Sequence, residues 1–167
     1  MPGTYDWEFP LPRTHTGMLQ GNGRLGLMIW GEGSVLCLTL GRADLWDHRG
    51  GLPWTEKQSY ANIRACLESG DEPRLRELFE GTARPEGEPS RPSIIPVGRL
   101  ELDFGPGVEL TTGTLDTADG TVTVSLRKGR RQYTVRLLLD MQADLACVEL
   151  PPGLTMPKVS RLPAWNW

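Results

Sequence analysis

Apolar and polar positions alternate with a period of two through the second half of the chain. Leu100, Leu102 and Phe104 share one face of Arg99–Phe104, and Val122, Val124 and Leu126 share one face of Thr121–Leu126. Tyr133, Val135, Leu137 and Leu139 do the same along Tyr133–Leu139, and Leu145–Leu150 predicts a further strand. Asp119-Gly120 and Lys128-Gly129 punctuate these runs, and Asp-Gly is a strong hairpin signal. The pattern predicts an antiparallel meander with one polar face. Nearer the start, Gly26–Trp30 and Ser34–Leu40 flank a Gly-Glu-Gly link and predict a β-hairpin. Their apolar residues are nearly continuous, as in a strand covered on both faces.

Between these regions the period lengthens. Tyr60, Ile63 and Leu67 form the stripe of a helix over Glu56–Ser69, which Gly70 ends as a left-handed cap. Asp71 suits an N-cap with Pro73 in the first turn, and Leu75, Leu78 and Phe79 stripe a second helix that stops at Gly81. Thr82–Ser93 is rich in Pro, Gly and charge and reads as a loop. The stretch up to His15, and everything after Leu150, shows no periodicity. The expected fold is mainly β: an antiparallel β (super)sandwich with an inserted helical pair. Residues 1–150 form its domain, and 151–167 an irregular tail.

Composition narrows the classes. In 167 residues, 20 Gly and 14 Pro favour turns and short strands. The net charge is −3, and the densest basic run, Arg127–Gln132, reads as a solvated hairpin tip, which excludes nucleic acid as a partner. No apolar run approaches the ~18 residues of a membrane span, and the first residues lack a basic region followed by an apolar one, so a cytoplasmic location is expected if Met1 is the true N-terminus. Cys37, Cys66 and Cys147 are scattered and flanked by apolar residues, so all three read as small core residues. The chain closes on apolar and aromatic residues, which points to a sequence cut before its fold is complete.

The segment Leu19–Gly51 carries a resemblance. Gly21-Asn22-Gly23-Arg24-Leu25-Gly26 matches the first motif of the N-terminal domain of glycoside hydrolase family 95. Thr39–Trp46 stands where that family's second motif belongs, with Gly41-Arg42 replacing the usual Asn-Glu. Asn62–Gly81, Pro96–Gly105, Leu115–Leu126 and Gln132–Leu150 follow in the family's order. The resemblance spans about Pro10 to Leu150. It implies a β supersandwich that precedes a catalytic α/α toroid, in enzymes that cleave α-L-fucosides or α-L-galactosides with inversion. The acid and base would lie in the toroid, so no catalytic residue is expected here, and no cofactor or metal. The partner implied is the toroid of the same enzyme, with glycans as a second partner and self-association through open sheet edges as a third.

The residues are weighed on that footing. Gly21–Arg24 reads as a tight turn in which Asn22 tolerates unusual backbone angles and Arg24 pairs with a carboxylate. Asp44 and Asp47 read as turn and cap residues. Asp44, Asp47 and His48 match no zinc spacing. Trp46 and Trp54 lie on a Gly-rich loop where a sugar platform could sit, although packing is the commoner use of Trp. Asn22, Arg24, Asp44, Trp46, Asp47 and His48 are therefore the candidates for the rim of an active site. The expected function is a noncatalytic N-terminal domain supporting the toroid and its rim; the alternative, resting on Trp content, is a stand-alone carbohydrate-binding module.

Overall fold

The computed structural model describes residues 3–47, 56–80 and 93–164. The strands run β1 Thr4–Glu8, β2 Met18–Gly21, β3 Leu25–Glu32, β4 Val35–Arg42, β5 Trp46–Asp47, β6 Ser93–Ile94, β7 Gly98–Asp103, β8 Val108–Asp116, β9 Val122–Lys128, β10 Arg131–Leu139, β11 Ala146–Glu149 and β12 Lys158–Pro163. Two helices, α1 Tyr60–Ser69 and α2 Glu72–Glu80, fall between β5 and β6. The chain divides into two units, one of residues 1–45 with 94–167 and the other of residues 46–93.

The larger unit holds two antiparallel five-stranded sheets, ordered β1-β8-β9-β10-β11 and β12-β7-β4-β3-β2. Each apolar alternation supplies one inner face. Val122, Val124, Leu126 and Val135 are fully buried from the first sheet, as are Met18, Ile29 and Leu36 from the second. Removing one such aliphatic side chain from water contributes roughly 1.5–3 kcal/mol, so these faces hold the sheets together. The β3–β4 hairpin pairs Leu25 with Arg42 through Glu32 with Val35, across the expected Gly-rich link. Two glycines permit close approach. A Cβ on Gly113 would meet the Met18 Cε at 2.5 Å, and one on Gly31 would meet the Val35 carbonyl oxygen at 2.2 Å.

The mainly-β expectation and the meander hold, and six strands were not foreseen, the two-residue β5 and β6 among them. β1 pairs with β8 from Thr4↔Asp116 to Glu8↔Thr112, so the opening residues are not irregular. β8 hides its period because Thr and Gly occupy Thr111–Thr114 and the register shifts between Leu110 and Thr112. β2 is four residues long. β12 corrects the irregular tail: Lys158–Pro163 pairs with β7 as an edge strand. Edge strands can be short and half polar because only one side of their ladder is occupied. Cysteine burial is also mixed. Cys37 and Cys66 are buried, and Cys147 is exposed because it sits on the short β11 at a sheet edge.

In the smaller unit, the Ser59 hydroxyl accepts from the Asn62 amide and caps α1. Gly70 ends α1 in the left-handed region at φ 69°, as expected. Asp71 caps α2 by accepting from the Arg74 amide at 3.2 Å. The expected stripe of α1 is only partly realised: Tyr60 is 78% and Leu67 64% exposed, and the buried residue is Cys66. Helices of ten and nine residues offer each other too little surface to cover a full stripe. The end of α2 at Gly81 and most of the Thr82–Ser93 loop lie outside the described residues.

Candidate functional site

Three connections meet at one end of the larger unit: the turn between β2 and β3, the stretch after β4, and the loop between β10 and β11. Gly23 takes φ 88°, which suits glycine, and lets the first turn close. The Asn22 Oδ1 then accepts from the Arg24 amide at 3.0 Å and the Leu25 amide at 2.8 Å. Its Nδ2 donates to the Asp140 and Ala143 carbonyls at 2.8 and 3.0 Å. All four hydrogen-bonding positions of the amide are filled, so Asn22 staples one loop to another. The receiving loop is itself preset: the Asp140 Oδ1 accepts from the Gln142 and Ala143 amides, and these bonds hold its carboxyl below the usual range.

Two arginines and two aspartates close the same end. Arg42 donates from Nε and Nη2 to both carboxylate oxygens of Asp44, at 2.8 and 2.7 Å, and from Nη1 to Asp144 at 2.9 Å. Arg24 lies 3.2 Å from Asp144 and 3.9 Å from Asp44. Each charge therefore faces two of opposite sign. The Arg42 hydrogen bond, ahead of the Coulomb attraction of Arg42 and Arg24, lowers the Asp44 pKa to about 2. We refer to the four residues as the clasp.

The structure thus brings Asn22, Arg24 and Asp44 together, and Arg24 pairs with carboxylates as its sequence context indicates. Trp46 belongs to the smaller unit, where 42% of it is exposed. The Asp47 side chain and His48 lie outside the described residues, as does Trp54. Sequence reasoning missed Arg42, Asp140 and Asp144. The only local signal was Asp140 three residues before Ala143, the spacing of an aspartate that bonds its own downstream amides.

The chemistry of this end is that of ionised, saturated carboxylates. A glycosidase acid needs a raised pKa. Among the described carboxylates with a displaced pKa, Asp44, Asp103, Asp119 and Asp140 are all lowered, with hydrogen bonds as the leading cause. Asp44 and Asp144 are bridged by one guanidinium, that of Arg42.

Two five-stranded antiparallel sheets around one apolar core, with a helical pair carried between β5 and β6, define a β-sandwich domain with an insertion. The family model described as glycosyl hydrolase family 65, N-terminal domain, matches residues 3–150, and the chain belongs to that family. The match names family 65 where the sequence resemblance named family 95; both describe an N-terminal β-sandwich domain of a glycoside hydrolase. No curated protein matches the chain.

Proposed function

We propose that this chain is the noncatalytic N-terminal domain of a glycoside hydrolase, and that it supports the catalytic toroid and the rim of its active site. The observation that carries the reading is the match of residues 3–150 to the N-terminal domain of a glycosyl hydrolase family. The finer reading, drawn from the Gly21–Gly26 and Thr39–Trp46 motifs, is an enzyme acting on α-L-fucosides or related glycans. In it, the clasp fixes the Gly21–Arg24 turn and Asp44; Trp46, Asp47 and His48 are rim candidates on their sequence motif.

Kinetics of the complete enzyme test this on aryl α-L-fucoside, α-L-galactoside and α-D-glucoside. The fucoside or galactoside is expected to be the best substrate, and Asp44→Ala and Trp46→Ala each to lower kcat/KM by about tenfold or more. Wild-type kinetics in both variants would remove the rim assignment, and preference for the glucoside would remove the fucoside reading. The alternative of a stand-alone glycan-binding module rests on Trp content only.

The open edge of β12, with Val159 51% and Leu162 38% exposed, is also proposed to support self-association. Light scattering over a concentration series should show dimers that Val159→Lys abolishes. A monomer at every concentration would contradict this.

A further inference from the structure

A pocket of about 210 Å³ opens between β2, the β8–β9 turn and the end of β10, within the larger unit, and none of the clasp residues lines it. Its volume is below the ~300–1,000 Å³ of pockets that hold drug-sized ligands, so it suits a single ring. Leu19, Leu115, Leu139 and Met141 make its apolar walls. Leu19 and Met141 stand 60% and 70% exposed, an apolar rim presented to water.

The polar lining accepts hydrogen bonds and carries no cation. Asp119 is the one charged residue in it, and its carboxyl is held below the usual range by the Thr121 amide, which donates to it at 2.8 Å. A carboxylate has about four acceptor positions, so capacity remains. Gln20 is 8% exposed. Its Nε2 donates both protons across the sandwich, to the Gly120 carbonyl at 2.5 Å and the Leu137 carbonyl at 3.0 Å. Its Oε1 is buried without a partner and closed to solvent, so Gln20 fixes the pocket wall and offers a ligand no acceptor. Acceptors without cations disfavour phosphates and carboxylates. A ligand with several hydroxyl donors and an apolar face matches both kinds of wall.

We infer that this pocket binds one neutral pyranose residue of a glycan, its C–H face against the leucines and Met141 and its hydroxyls donating to Asp119. The choice of a sugar over another polyol rests on the glycoside hydrolase reading; the site borders the proposed rim at Gly21.

Amide and side-chain NMR of the 167-residue chain tests it, with methyl α-L-fucopyranoside, methyl α-D-glucopyranoside, glucuronate and glycerol as probes. A methyl pyranoside should produce saturable shifts at the Gln20 side-chain amide, Gly21, Gly120 and the Met141 methyl, with weak, millimolar affinity. Asp119→Asn, which keeps an acceptor for the Thr121 amide, should weaken binding about tenfold, and the exposed Met141→Lys should abolish it. Glucuronate should bind more weakly because it meets Asp119. No saturable shift at these groups, equal shifts from glycerol, or unchanged affinity in both variants would overturn the proposal. Absent sugar binding by the isolated chain, with fucoside hydrolysis by the complete enzyme intact, would overturn this proposal alone, so its failure is distinguishable from failure of the proposed function.

Discussion

At the scale of single residues, the clasp shows how opposed charges tie loops that lie far apart in sequence. Asp44 has its pKa lowered to about 2, first by the Arg42 hydrogen bond. A carboxylate ionises near ~3.9 in an unfolded chain. Its folded value is depressed, so the stabilisation is fully present above the unfolded pKa and is lost as pH falls through the folded one. The denaturant midpoint of Asp44→Asn should therefore lie below that of the wild type at pH 7, and the gap should close between about pH 4 and about pH 2. A gap constant across that range would show that Asp44 acts through shape and not charge. The sequence exposed half of this arrangement. Gly-Asn-Gly-Arg announces a turn and an arginine seeking a carboxylate. Arg42 and Asp144 are 102 positions apart, and nothing local in either segment says they meet.

At the scale of elements, the hairpins were legible where two faces differed in polarity. β9 and β10 alternate because one face is core and the other is solvated, carrying the Arg127–Glu109 and Arg136–Glu149 pairs. β8 was illegible because its bulge and its Thr111–Thr114 run break the alternation. β12 was illegible because an edge strand near prolines needs little apolar character. The β3–β4 hairpin depends on a feature that patterning does not display, the contact of Gly31 with the opposing backbone. Gly31→Ala should cost more than about 2 kcal/mol in chemical denaturation, because backbone must move. Gly41→Ala, on β4 with open space around its Cβ, should cost little. Equal effects would contradict the packing assigned to the hairpin.

At the scale of the whole molecule, the sandwich and the smaller helical unit carry different parts of the account. The core of the sandwich, the register of its sheets and the family match over residues 3–150 define an N-terminal domain of a glycoside hydrolase. Of the rim candidates, Asn22, Arg24 and Asp44 belong to the larger unit and Trp46 to the smaller. Sequence patterning reached the fold class and the helical insertion because both rest on local period. The chemistry was less legible, since the direction of a pKa depends on partners brought together by folding.

The most direct test of the central claim is hydrolysis of aryl α-L-fucoside and α-L-galactoside by the purified 167-residue chain, beside a longer polypeptide that joins it to a catalytic toroid. The account predicts turnover by the longer polypeptide and none by the chain alone. Turnover by the chain alone, lost on substitution of one of its own carboxylates, would contradict the noncatalytic assignment.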